Sequence, residues 1–67
     1  MNILLLTSYR NKSTDNCTYY VRTPGGRKSR VSFERYAILR ATCEMIDSVR
    51  EESSDYIRYT YSVKSKF

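Results

Sequence analysis

Residues 56–64 (YIRYTYSVK) alternate between two sets of side chains along their whole length. One set is Ile57, Tyr59, Tyr61 and Val63, and the other is Tyr56, Arg58, Thr60, Ser62 and Lys64. Because successive side chains of a strand point to opposite faces of a sheet, this alternation predicts a strand with one covered face and one open face. A single strand is not stable alone, so the rest of the chain must supply a sheet and a layer that covers it.

Two further segments are predicted as strands. Residues 3–9 are rich in β-compatible side chains and carry apolar residues on both faces, which indicates a central strand. Residues 17–23 (CTYYVRT) form the second strand, with Tyr20 and Arg22 on one face. The polar loop of residues 10–16 between them predicts an antiparallel hairpin.

The second predicted strand ends at Pro24, Gly25 and Gly26. Proline cannot donate to a strand ladder, and glycine tolerates a positive φ. Residues 27–31 then fit either a short third strand or an extended approach to the next element. The sequence leaves these two alternatives open.

Helical periodicity predicts one helix over residues 33–52. Ser32 is a suitable N-cap, and Glu34 stands in the first turn, where the helix dipole favours negative charge. An apolar stripe at helical spacing comprises Ile38, Thr42, Met45 and Val49. The opposite side, which we expect to be solvated, carries Arg40, Glu44, Asp47 and Glu51.

These elements predict an α+β fold. Residues 1–67 form a single small domain in the order β-β-(short β)-α-β, with an antiparallel sheet and one helix packed on one face. The simplest arrangement puts the first strand in the middle, so that the second and last strands are the sheet edges. A chain of this size buries about 60% of the surface that its unfolded form exposes, which allows one core.

Charge is distributed unevenly along the chain. Twelve Lys and Arg against seven Asp and Glu give a formal net charge of +5. Residues 1–31 hold six cations and one carboxylate, residues 32–55 hold three cations and six carboxylates, and residues 56–67 hold three cations and no carboxylate. We therefore predict a basic sheet with its loops and an acidic helix.

The first candidate site is the basic loop of residues 25–32. It brings Arg27, Lys28 and Arg30 to the start of the predicted helix, where unpaired N–H groups attract anions. The loop lacks the first glycine and the spacing of a phosphate-binding loop, which argues against nucleotide hydrolysis. An anion contact and a solvated basic loop both remain open.

The second candidate site is the open sheet face, where we expect Tyr20, Arg22, Tyr56, Arg58 and Lys64 to project together. Tyrosines can stack on bases and arginines can neutralise phosphate, as on sheets that bind single-stranded nucleic acid. The same residue types anchor protein interfaces, and tyrosine also favours strands for structural reasons alone. All three interpretations remain open.

The sequence argues against catalysis. It has no histidine, which removes the commonest general base and the commonest metal ligand, and its two glycines exclude a dinucleotide fingerprint. We expect no enzyme activity, no metal and no cofactor. Cys17 and Cys43 are expected to be buried thiols rather than a disulfide.

The longest apolar run, residues 3–6, is far shorter than the ~20 residues of a transmembrane helix. The start of the chain lacks a basic region followed by a small-residue cleavage site, so we expect a cytoplasmic protein that does not bind membranes.

In size, cysteine content and predicted element order, the chain resembles the small accessory proteins of bacteriophages, including anti-host inhibitors and anti-CRISPR proteins. This resemblance implies a protein that works in the host cytoplasm by occupying a surface of a host protein or nucleoprotein complex. Many such inhibitors are acidic mimics of DNA, and the basic charge of this chain departs from that pattern. No motif and no site residue is carried over from the resemblance.

Two main hypotheses follow. The first is an inhibitor-type binding protein that uses the basic, Tyr- and Arg-rich face. The alternative is a small nucleic-acid-binding regulator that contacts phosphate through residues 25–32 and the open face. A homodimer through strand edges is a third hypothesis, so the sequence leaves open a monomer or a homodimer.

Overall fold

The fold is a five-stranded antiparallel sheet with one helix across it. A computed structural model describes residues 3–65. Its elements are β1 (Ile3–Asn11), β2 (Cys17–Arg22), β3 (Ser29–Val31), α1 (Phe33–Thr42), β4 (Glu44–Glu52) and β5 (Tyr56–Lys64). The strand order is β3-β2-β1-β5-β4, and all neighbouring strands are antiparallel. The α+β class, the antiparallel sheet and the central first strand are therefore confirmed. Lys66, which contributes to the basic end of the sequence, lies outside the described residues.

The helix is half as long as predicted. It ends at Thr42, and residues 44–52 form β4 instead, so the element order is β-β-β-α-β-β. Cys43 already has extended backbone angles, although its N–H still donates to the carbonyl of Leu39 at 3.0 Å. The predicted apolar stripe is also wrong, because Ile38 is 61% exposed and Val49 is 47% exposed.

Local preferences and pairing together account for the change at residue 43. The segment from Thr42 to Val49 contains several β-branched and short polar residues, which are mediocre helix formers. As a strand, the same segment pairs with β5 from Glu44 to Glu52. That pairing satisfies backbone groups and forms cross-strand contacts that a longer solvated helix would not supply.

The sheet edges also differ from the prediction. β3 and β4 are the edges, whereas β2 and β5 both have neighbours on each side. Residues 29–31 form the short strand β3, so the short third strand is the correct alternative for residues 27–31. A register shift between Met45 and Asp47 interrupts the pairing of β4, and every residue of this strand is exposed. Irregular pairing and charged side chains on an edge strand both discourage its addition to another sheet.

Helix α1 connects the two edges of the sheet. The antiparallel pairings require β3 and β4 to run in the same direction at opposite edges. Four strand spacings are about 19 Å, and a ten-residue helix is about 15 Å long, so α1 must lie across the sheet. The predicted N-cap is confirmed, since the Ser32 hydroxyl accepts a hydrogen bond from the Arg35 N–H at 3.2 Å.

The core lies between α1 and one sheet face. Leu6 and Val63 are fully buried, and Tyr36 of the helix is only 4% exposed. The partly buried residues packed against them are Leu4, Tyr19, Val21, Val31, Leu39, Cys43 and Tyr61. Burial raises the pKa of Tyr36, and its hydroxyl is hydrogen-bonded to Ser8.

Both cysteines are free thiols. Cys43 is half-buried beside the core, whereas Cys17 at the start of β2 is exposed, so its predicted burial is wrong. None of the described helical segments has the length and hydropathy needed to cross a bilayer.

Replacing Leu6 by alanine should cost about 2–5 kcal/mol of unfolding free energy, because the side chain is fully buried. A core this small contributes about 3–5 kcal/mol in total, so we expect the variant to be largely unfolded in urea titrations followed by circular dichroism. The matched control is Ile38→Ala on the exposed side of α1, which should change the stability by less than about 0.5 kcal/mol. Equal losses in the two variants would contradict the helix placement.

Candidate binding site on the open sheet face

The sheet face that points away from α1 is here called the open face. Strand residues directly opposite one another share a face, and alternate residues along a strand change face. Leu6 is buried under α1, so its neighbours Leu5 and Thr7 belong to the open face. The register then places the five residues of the second candidate site on the open face: Arg22 opposite Leu5, Tyr20 opposite Thr7, Arg58 opposite Tyr9, Tyr56 opposite Asn11 and Lys64 opposite Ile3.

The basic loop reaches the same face. Gly26 N–H donates to the Thr23 carbonyl at 2.8 Å, and Gly25 has a φ of 77°, which favours glycine at this turn. The Lys28 ammonium lies 4.5 Å from the centre of the Tyr20 ring and 5.1 Å from that of Tyr9. The two candidate sites predicted separately from the sequence therefore share one surface.

Arg27 and Arg30 complete the predicted site. Arg27 is exposed on the turn before Lys28, and Arg30 lies opposite Tyr20 in the register, which puts it on the open face. The expectation that the loop delivers its cations to the start of the helix is wrong for Lys28. Its contacts with two open-face tyrosines hold it on the side of the sheet away from α1.

A concavity of about 370 Å³ lies in the open face. Its charged lining residues are Arg22 of β2, Lys28 of the turn and Arg58 of β5. The remaining lining residues are Leu5, Thr7, Tyr9, Tyr20, Gly26 and Thr60. Among the described residues the lining contains three cations and no carboxylate, so its electrostatic preference is for an anion.

Tyr9 is at the centre of this surface. Its ring makes edge-to-face contacts with Tyr20 and Tyr56, each at a centroid distance of 5.6 Å. Its hydroxyl is 3.5 Å from the Lys28 ammonium. A hydrogen bond from Arg58 lowers the pKa of Tyr9, and Lys28 adds to the effect. The phenol therefore bridges two cations of the concavity.

Tyr9 is not among the site residues predicted from the sequence. The missing information was the register, because Tyr9 becomes part of the open face only when β1 pairs with β5 at Arg58. The alternation along β1 alone gave no signal. Apolar and polar residues occur in both of its sets, which are Ile3, Leu5, Thr7 and Tyr9 on one face and Leu4, Leu6 and Ser8 on the other.

Arg58 is held by two partners. Its guanidinium forms an ion pair with Glu51 on the neighbouring strand β4 and a hydrogen bond with Tyr9. These contacts raise the pKa of Arg58 and lower that of Glu51. Its Nε is buried and has no hydrogen-bond partner among the side chains that the structure describes. Glu51 therefore offsets one of the three charges around the concavity.

The charges are not divided between a basic sheet and an acidic helix. α1 carries one carboxylate, Glu34, against Arg35 and Arg40. The other acidic residues of the predicted helix belong to β4 and are Glu44, Asp47, Glu51 and Glu52. The charge gradient therefore runs across the sheet, from the basic β2 and β3 side to the acidic β4 edge.

No three His, Cys, Asp or Glu side chains within residues 3–65 lie close enough together to hold a metal ion. The chain matches no protein-family model, no curated protein and no solved structure in the three comparisons.

We expect Tyr9 to titrate below, and Tyr36 above, the ordinary tyrosine pKa of about 10. ¹³C NMR of the tyrosine Cζ atoms measures both values, with Tyr9→Phe and Tyr36→Phe to assign the signals. Arg58→Gln should move the pKa of Tyr9 upward and leave that of Tyr36 unchanged. A Tyr9 signal that does not respond to Arg58→Gln would contradict the described hydrogen bond.

The two tyrosines affect stability with opposite signs. The pKa of Tyr9 is lower in the folded protein than in the unfolded chain. Ionisation of Tyr9 therefore stabilises the fold above the unfolded pKa near 10, and this stabilisation is lost as pH falls through the folded pKa. The pKa of Tyr36 is higher in the folded protein than in the unfolded chain. Its neutral phenol therefore stabilises the fold fully below about pH 10, and this stabilisation is lost as pH rises through the folded pKa.

Proposed function

We propose that this protein is a non-enzymatic binding protein whose open face docks on an acidic surface of another protein or of a nucleoprotein complex. The observation that carries the proposal is the convergence of Arg22, Lys28 and Arg58 around one concavity that no carboxylate lines among the described residues. Occupying a host surface is also what phage-type anti-host or anti-CRISPR inhibitors do. The small size and α+β fold of this chain are compatible with that function in a host cytoplasm.

The arrangement of the tyrosines favours a protein surface as the docking partner. Tyr9 and Tyr20 meet edge to face at an interplanar angle of 88°, and Lys28 lies over both rings. Bases that stack on a sheet need ring faces that are free of other groups. Closely packed Tyr and Arg side chains are instead typical of the residues that dominate protein interfaces.

A nucleic-acid-binding regulator is the second candidate function. It is favoured by the continuous row of Tyr20, Tyr9 and Tyr56 across three strands, since Tyr56 at the end of the row is 39% exposed. Arg30 and Lys64 lie on the same face outside the concavity and would neutralise phosphates along a strand. Under this function, binding to a single strand would weaken by about 0.7 log units per phosphate contact for each tenfold rise in salt.

Charge reversal on the open face tests the proposal. Arg22→Glu should weaken capture of an acidic partner from a nuclease-treated bacterial lysate by about tenfold or more, because it places like charge against the partner. The matched control is Arg35→Glu, an equal charge change at an exposed position on α1. This control should retain the wild-type level of capture.

Two results would contradict docking on an acidic protein surface. One is an equal loss of capture in Arg22→Glu and Arg35→Glu, which would indicate a net-charge effect with no docking face. The other is capture that disappears after nuclease treatment, together with a shift of a naked single-stranded oligonucleotide at about 50 mM salt. That combination would support the nucleic-acid function instead.

A further inference from the structure

The three cations of the concavity reach it from different parts of the fold. Arg22 is the last residue of β2, Lys28 follows the glycine turn, and Arg58 lies on β5, on the far side of β1. A planar carboxylate presents two oxygens in one plane and is matched by a single guanidinium fork. Donors that come from three directions suit a tetrahedral oxyanion, which offers an oxygen to each of them.

The charge around the concavity matches that of a phosphate monoester. Glu51 forms an ion pair with the Arg58 guanidinium. Three cations and one paired carboxylate leave a surplus of two positive charges. A phosphate monoester carries about −1.5 to −2 at pH 7, whereas a carboxylate carries only one negative charge.

The concavity is larger than a phosphate group alone requires. Its volume of about 370 Å³ falls within the range of sites for small molecules, which begins near 300 Å³. Leu5 and the tyrosine rings supply apolar surface for the group that the phosphate is attached to, and Thr7 and Thr60 supply hydroxyls. The lining therefore suits an ester better than the free inorganic ion.

We propose that the concavity is a binding pocket for a phosphate monoester, which places its phosphate between Arg22, Lys28 and Arg58 and its organic group against Leu5 and the tyrosines. This inference deepens the proposed function, because the pocket lies within the docking face and would recognise a phosphorylated group presented there. Lys28 rests on the Tyr9 and Tyr20 rings and reaches the phosphate by a side-chain rotation.

Titrations of the isolated protein by ¹H–¹⁵N NMR test the pocket, with phenyl phosphate as the probe and benzoate as a planar anion of similar shape. Phenyl phosphate should bind saturably and at least tenfold more tightly than benzoate or inorganic phosphate, with the largest shifts at Arg22, Gly26 and Arg58. Lys28→Gln and Arg22→Gln should each weaken binding about tenfold. The matched control is Arg35→Gln, which removes an equal charge at an exposed position on α1, outside the lining, and it should change affinity less than twofold.

Four results would overturn the pocket: unsaturable shifts, benzoate as tight as phenyl phosphate, an equal loss of affinity in Arg35→Gln and Lys28→Gln, or no binding of either ester named next. Adenosine monophosphate and O-phosphotyrosine then distinguish a nucleotide from a phosphorylated side chain as the source. Binding of either supports the proposal, and binding of neither overturns it.

The test separates the pocket from the proposed function because it needs no partner. If the protein binds phosphate esters saturably but captures no partner protein, the pocket is supported and the docking proposal is contradicted. If the protein captures a partner in a way that depends on Arg22 but binds no phosphate ester, the docking proposal is supported and the pocket is contradicted.

Discussion

The alternation of side chains along β1 is the constraint on which both faces of the molecule depend. β1 is paired on both sides, so its residues must serve two surfaces at once. Leu6 is fully buried under α1, and three residues further on Tyr9 joins Lys28 and Arg58 on the open face. A shift of one residue in the register of β1 would exchange these roles, removing the core and the candidate site together.

The core on one side of the sheet is small, which makes the contacts of the open face structurally important as well. Leu6, Val63 and Tyr36 are the buried hydrophobic residues that the described part of the chain contains. On the open face, edge-to-face tyrosine contacts and the position of Lys28 over two rings connect β2, β1 and β5. Such contacts contribute about 0.5–1.5 kcal/mol each, a substantial amount for a domain of this size. The surface proposed to bind a partner is thus also one that holds the sheet together.

Much of the fold could be predicted because it follows from local patterns. The parity of residues 56–64, the turn at residues 24–26 and the cap at Ser32 each act within a few residues. The open-face positions of Tyr20 and Arg22 followed from the alternation along residues 17–23, and that of Arg58 followed from the alternation along residues 56–64. The convergence of Lys28 with these residues could not be predicted, because it depends on how the turn folds back over the sheet.

The sequence by itself determined an α+β domain with an antiparallel sheet, a central first strand and one polar sheet face, because strand alternation and caps are set by neighbouring residues. Only the tertiary structure decided that residues 44–52 form a strand. Their apolar residues fit helical spacing in isolation, and it is the free edge of β5 that offers hydrogen bonds along the whole segment. The same choice moved four carboxylates from a helix to the sheet edge and brought Glu51 to Arg58. Hydrogen bonding to the next strand is not visible in the helical periodicity of residues 44–52, and in the folded protein this pairing outweighs that periodicity.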